Sequence, residues 1–271
     1  MNSKHEIQFI HANGFPPNAY TSLLKGLNNH FNIEKFLLRP LNNKYNANDI
    51  KNWIPFHNDY IELLSHKNHK VIGLGHSIGG NVTLRACISH PEYFSKIILL
   101  DPTLFVPKII FFWKLALFLK LHNYLHPWVK ATLRRKMYYK NYDSIFKSYR
   151  NKTVFKHIDD ENLNIYIKSI TTSENDGEIK IIYSKEWEYQ IYKTGLIADN
   201  YIWKNIKYLN IPTLIIRSKS SNAFLASSAK KINKLNKKIK IVTLDNTTHL
   251  FPLETPETVA KIINDYLQGF N

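Results

Sequence analysis

The chain has 271 residues, a net charge of +16 from 37 basic and 21 acidic side chains, and a single cysteine, Cys87. That length suits one large α/β domain, with or without an insertion, and buries a sizeable core. One thiol excludes a disulfide scaffold, and without a helix-turn-helix, RNA-recognition or zinc-finger pattern the charge does not point to nucleic acid.

The first residues, MNSKHEIQFIHANGF, lack the apolar stretch of a signal peptide and reach a β-prone run, IQFI at 7–10, almost at once. A reducing, cytoplasmic location is the expectation. The loop after that run, HANGFPPNAY, holds a histidine, turn residues and an aromatic. A helix is expected near 18–29, a strand at FLLR (36–39) and a further helix near 48–66.

VIGLG (71–75) reads as a buried strand, and it runs into Gly75-His76-Ser77-Ile78-Gly79 and a helix over 77–89. A G-x-S-x-G between a strand and a helix forces the serine into a sharp, strained turn with its hydroxyl exposed, which is what a nucleophile requires. Ser77 is the candidate nucleophile. Acyl transfer also needs backbone N–H groups aimed at the oxyanion, one from the residue after the nucleophile and one from the loop after the first strand. Ile78 supplies the first, and Phe15 is preferred for the second, with Asn13 as the alternative. His11 reads as a brace for that loop rather than as a base. Cys87 lies among Leu84, Ala86 and Ile88 and reads as packing.

KIILL (96–100) is the next strand and ends at Asp101. About 95 residues rich in aromatics follow before another sheet-type strand, too long for a crossover. They read as a helical lid over the carboxyl edge of the sheet, where open α/β folds bind ligands. Its most apolar stretch, 106–121, is interrupted by Lys108, Lys114 and Lys120, so it does not read as a membrane span. At about 100° per residue these lysines fall on three sides of a helix, which suits burial against the body, a partner or lipid. Two windows carry the charge: eleven Lys or Arg against one acid from Val106 to Lys152, and eight against none from Arg217 to Lys240. Such patches suit anionic substrates or an anionic membrane surface, and they also arise from a lysine-rich composition alone.

TLIIR (213–217) restores the strand rhythm, followed by a helix near 225–236, a strand at IKIVTL (239–244) and a last helix near 256–268. His249 lies in the loop between the last two. A serine hydroxyl needs a base that works near neutrality, and among 12 histidines His249 is singled out by following the terminal strand. No paired His or carboxylate spacing suggests a metal site, and no cofactor is implied.

HANGFPP, GHSIGG, DPTLF, IPTLIIRSKS and THLFPLETP together resemble the α/β-hydrolase fold, and within it the lid-bearing esterase, lipase and dehalogenase branch. The resemblance implies a doubly wound, mostly parallel sheet of about six strands with a helical lid insertion, divided as core 1–102, lid 103–197 and core 198–271. The family's first hairpin is expected to be missing, because the sequence starts at the strand that leads into the oxyanion loop. Most members carry an aspartate after the strand matching TLIIR, where this chain has Ser220, Ser221 and Asn222. Others take the acid from the end of the strand after the nucleophile helix, and Asp101 fills that place. The implied triad is Ser77, Asp101 and His249, with Asp245 or a dyad supported by Asn222 as alternatives.

A serine at the elbow argues against dehalogenase or epoxide hydrolase chemistry and implies an acyl-enzyme. The expected function is a cofactor-independent serine hydrolase of the carboxylesterase/lipase kind, acting on an ester or lipid with an apolar acyl or aryl group. Acyltransferase, thioesterase or carbon-carbon bond hydrolase activity on the same triad, or a catalytically silent binding domain, are the alternatives.

Overall fold

In the computed structural model the described residues are 5–269, apart from 29, 30, 43, 126, 175, 176, 196 and 198. Met1–Lys4, part of the segment read for a signal peptide, lie outside them. The larger sheet has six strands: β1 Glu6–Ile10, β2 Asn32–Phe36, β3 Val71–His76, β4 Phe94–Leu100, and, after the long insertion, β8 Thr213–Ser218 and β9 Lys240–Leu244. Their order is β2-β1-β3-β4-β8-β9 and every pairing is parallel.

Side chains on a strand alternate between faces, and the core follows that period. Ile98 and Leu100 of β4, with Leu214 and Ile216 of β8, enter one apolar cluster, while Ile97, Leu99 and Ile215 enter the other. The helices α1 (Thr21–Asn28) and α13 (Pro256–Gln268) pack against each other on the first face. The second face is covered by α2 (Ile54–Ser65), α3 (Ile78–Ser89) and α11 (Ala226–Leu235). Both faces of the central strands are dry, so their sequences read as nearly continuous apolar runs.

The edge strand β2 is where sequence and structure part. The strand expected at 36–39 lies at 32–36, shares only Phe36 with it, and is exposed at most positions. Leu38 is buried all the same, in the segment leading to a short 3-10 turn at Arg39–Leu41. An edge strand pairs on one side only and needs no apolar run, so the apolar residues beside it drew the expectation downstream.

Between β4 and β8 run six helices: α4 Pro107–Phe118, α5 His122–Leu125, α6 Pro127–Leu133, α7 Tyr142–Arg150, α8 Asp160–Ile170 and α9 Lys185–Thr194. A seventh, α10 Asn200–Asn205, leads back to the sheet. The expectation of a helical segment is corrected in part, because β5 (Tyr138–Tyr139), β6 (Thr171–Ser173) and β7 (Ile179–Ile181) form a small antiparallel sheet in the order β5-β7-β6. Among the described residues, no helix is long and apolar enough to cross a membrane.

Candidate active site

The chain leaves β3 and β4 through two residues held in the left-handed region, Ser77 at φ 58° and Asp101 at φ 41°. Neither is glycine, so each conformation costs of the order of 1 kcal/mol or more and persists only because its surroundings enforce it. At Ser77 the enforcement is close packing. A Cβ on Gly75 would stand 2.3 Å from the carbonyl oxygen of Gly79, and one on Gly79 would stand 2.1 Å from that of Ile10. The two glycines let α3 begin against the end of β1. The Ser77 N–H donates to Leu100 O at 3.0 Å, and the Thr103 N–H donates to Ser77 O at 3.0 Å, which lock the two strand ends together.

Three side chains that are far apart in the sequence meet here. The Ser77 hydroxyl stands 3.0 Å from His249 Nε2, and His249 Nδ1 stands 2.6 Å from Asp101 Oδ2. With the Nδ1 proton on the carboxylate side, Nε2 is the acceptor for the serine proton. Asp101 is fully buried, and a buried carboxylate requires compensation. It receives three donors from two segments: His249, the Ser221 hydroxyl at 2.5 Å on the same oxygen, and the Ser218 N–H at 3.3 Å on Oδ1. The loop after β8 holds no acid, yet it reaches Asp101 through Ser221.

The alternative orienters lie elsewhere. Asp245 is exposed and pairs with Lys219 at 2.9 Å, and Asn222 is exposed. The loop bearing His249 is held by Glu254, which accepts the Thr248 N–H at 2.9 Å and also the Thr248 hydroxyl.

The first loop is braced as expected. His11 Nδ1 lies 2.8 Å from Ala12 O, and its Nε2 accepts the Leu38 N–H at 3.2 Å. Burial pushes His11 down to about 4, so it is neutral near pH 7 and can play both roles. The preference for Phe15 as an oxyanion donor meets an obstacle, because its N–H already donates to Ala12 O at 3.2 Å within the turn. Its ring stacks on Tyr166 with centroids 4.7 Å apart. Asn13 has both ends of its amide engaged by the insertion, Nδ2 to Glu188 O at 3.2 Å and Oδ1 from the Tyr183 hydroxyl at 3.1 Å. That fixes the backbone at residue 13. Ile78 is the first residue of α3, so its N–H has no partner within the helix and sits at the positive end of the helix dipole.

Sequence reading missed four residues. Thr103 Oγ1 lies 3.1 Å from Ser77 Oγ, and Ser221 bonds Asp101 as described. His76 Nε2–H donates to the backbone carbonyl of His249 at 3.0 Å, which leaves Nδ1 to accept the Tyr20 hydroxyl at 2.7 Å. The Tyr20 oxygen in turn accepts the Ala12 N–H at 3.3 Å. One buried chain of hydrogen bonds thus joins the first loop, the elbow and the His249 loop. Burial, reinforced by the neighbouring His249, drives the His76 pKa far down and keeps its ring neutral. Its place before Ser77 was the available signal for His76, whereas Tyr20, Thr103 and Ser221 had none beyond proximity to the motifs.

Among the described residues there is no group of three side chains suited to a metal ion. The arrangement therefore offers a hydroxyl, an imidazole and a carboxylate in hydrogen-bonded series, with backbone donors beside the hydroxyl.

Comparison with known proteins agrees with this architecture. The model of the family described as serine aminopeptidase, S33, matches residues 47–256. An uncharacterized hydrolase, YugF, of Bacillus subtilis (strain 168) is 24% identical over 213 residues, covering 77% of this chain and 69% of that protein. The crystal structure of E-2-(acetamidomethylene)succinate hydrolase superposes with a TM-score of 0.76 at 18% identity, covering 98% of this chain and 92% of that one. The Mycobacterium tuberculosis esterase Rv0045c gives 0.74 at 13% identity, with 98% and 86% covered. These structures share the fold, and the family match extends over most of the chain. The protein is a hydrolase of the α/β-hydrolase fold and belongs to the serine aminopeptidase S33 family.

Proposed function

We propose that the protein is a serine hydrolase that cleaves a carboxylic ester with an apolar acyl or aryl group through an acyl-enzyme at Ser77. The observation that carries this reading is the unbroken series Ser77 Oγ, His249 Nε2, His249 Nδ1, Asp101 Oδ2, at 3.0 and 2.6 Å. In the first half-reaction His249 Nε2 takes the hydroxyl proton as Oγ adds to the ester carbonyl. Asp101 holds the Nδ1–H and stabilises the imidazolium. The tetrahedral oxyanion is received by the Ile78 N–H and by an N–H of the first loop. With the Phe15 N–H already bonded, Asn13 becomes the favoured second donor. Collapse expels the alcohol with the proton from His249, and a water activated by the same imidazole then hydrolyses the acyl-enzyme and restores Ser77.

We assign residues 103–197 the role of a lid between the core segments 1–102 and 198–271. Support comes from its contacts with the first loop: Glu188 and Tyr183 hold the Asn13 side chain, and the Tyr166 hydroxyl donates to Gly14 O at 3.3 Å. The buried free thiol of Cys87 suits a reducing, cytoplasmic location.

Ester cleavage is preferred to removal of an amino-terminal residue on electrostatic grounds. Recognition of a free α-ammonium calls for a carboxylate that is not already neutralised. Glu188, the carboxylate packed over Gly14, is bonded by Arg135. Acyl transfer, thioester or carbon-carbon cleavage would use the same three side chains and differ only in acceptor and lid.

The test is hydrolysis of p-nitrophenyl esters of increasing acyl length, with fluorophosphonate labelling, by wild type and Ser77→Ala. Turnover and labelling that both vanish in the variant would support the reading. A wild type that neither turns over nor labels would favour a silent binding domain.

A further inference from the structure

The helix α4 is apolar on two opposite sides, and only one of them is used. Ile110, Trp113 and Ala116 face inward, and the Trp113 indole N–H donates to Lys193 O at 3.1 Å, anchoring the helix to α9. On the outward side Phe111, Phe112, Leu115 and Phe118 are exposed, Phe118 at 82%. At about 100° per residue Phe111, Leu115 and Phe118 form one stripe, with Lys108 and Lys114 to either side of it. The patch continues past Lys120 into α5, where Tyr124 is 81% exposed and Leu125 62%. From Pro102 to Tyr142 the chain has no Asp or Glu at all, so the stretch that carries the apolar ridge brings only basic charge with it.

We propose that α4 and α5 dock the protein on an anionic lipid surface, with the aromatic stripe entering the boundary between headgroups and acyl chains and the lysines bonding the phosphates. Exposed aromatic and leucine side chains flanked by lysine, on a helix too short to span, are what interfacial insertion requires. The lysine stems lie along apolar surface while their ammonium groups reach the headgroups. A second copy of the chain fits less well. A two-fold contact sets the same patch against itself, which would face Lys108, Lys114 and Lys120 with one another and no acid to offset them.

Sedimentation with sucrose-loaded vesicles tests this. Wild-type protein is expected to bind phosphatidylcholine vesicles containing one-quarter phosphatidylglycerol at least about 10-fold more tightly than phosphatidylcholine alone, with the difference shrinking as salt rises. Phe111→Glu/Phe118→Glu should weaken binding to the anionic vesicles by about 30-fold or more. Lys114→Glu/Lys120→Glu should weaken it by at least roughly 25-fold. All four positions are exposed, so unchanged melting temperatures are expected and keep a loss of binding distinct from misfolding. Ser77→Ala should bind as wild type does, which separates docking from catalysis. The proposal is overturned by failure to bind the anionic vesicles at low salt, or by binding that both double variants leave intact. It is also overturned by a wild-type dimer in sedimentation velocity that Phe111→Glu/Phe118→Glu converts to monomer, since the face would then belong to a second copy.

Discussion

Ser221 donates its hydroxyl to Asp101 Oδ2 at 2.5 Å, the same oxygen that His249 Nδ1 reaches at 2.6 Å. The segment where the family resemblance would place an aspartate instead supports a carboxylate that ends another strand. The Ser221 oxygen also accepts the N–H groups of Ala223 and Phe224, at 3.1 and 2.8 Å, so the loop is wound around it. Ser221→Ala should lower kcat by roughly 10-fold with little change in KM, because the charge-assisted bond acts on the imidazole and not on bound substrate. Steady-state kinetics on a short p-nitrophenyl ester would show it; a rise in KM at constant kcat would count against the assignment.

Asp101 itself should matter far more. Asp101→Asn keeps the shape but presents an amide to the imidazole and favours the wrong tautomer, so kcat should fall by roughly 10³ to 10⁴-fold. Asp245→Asn, at an exposed position paired with Lys219, should leave kcat within about 2-fold. Equal losses in the two variants would return the acid to Asp245.

Tyr20 and His76 form the buried bridge between the first loop and the His249 loop. Tyr20→Phe removes one hydroxyl and leaves the Ala12 N–H and His76 Nδ1 without it. The expected cost is about 1–3 kcal/mol of stability, read by urea unfolding. A moderate fall in kcat should accompany it, since His76 holds the backbone of His249. An unfolding midpoint equal to wild type would show that water replaces the hydroxyl at no cost.

Asp199 gives a stability signature in pH. It is buried at the start of α10, with Oδ1 accepting from Asn81 at 2.9 Å, and burial pushes its carboxyl up to about 7 from 3.8. Well below pH 3.8 the group is protonated whether the chain is folded or not. As pH rises from there to about 7, the unfolded chain loses the proton while the folded one keeps it, so this group's contribution to stability falls and then levels off. The full difference corresponds to roughly 4 kcal/mol. Asp199→Asn should therefore raise the melting temperature by several degrees at pH 8 and leave it nearly unchanged near pH 4. A benefit of the same size at both pH values would point to packing instead.

The strand rhythm, the elbow and the positions of Ser77, Asp101 and His249 could be read from the sequence because each follows a buried strand, where composition is tightly constrained. Legibility failed where constraint is loose or depends on distant segments. The edge strand β2 is mostly exposed and polar, and β5 to β7 are two or three residues long, below what a period of two can reveal. The choice between Phe15 and Asn13 turned on which N–H a tight turn consumes, a matter of backbone direction that residue identity does not encode. Ser221, Thr103 and Tyr20 touch the site only because separate loops converge on it.

The place of Asp101 has a consequence for how such a protein can diverge. The register of β3 on β4 sets His76 beside Leu100, so Ser77 and Asp101 leave neighbouring strands before the chain enters α4. The proposed nucleophile and acid thus sit at adjacent strand ends joined by the single crossover through α3, and of the three side chains only His249 returns from beyond the long excursion. The segment between β4 and β8 can then be lengthened, trimmed or replaced like a cassette while the spacing of Ser77 and Asp101 stays as the sheet dictates. Any such exchange must still keep the grip of Tyr183 and Glu188 on Asn13 and the return of His249 to Asp101, so the segment is free to vary only where it does not touch the first loop.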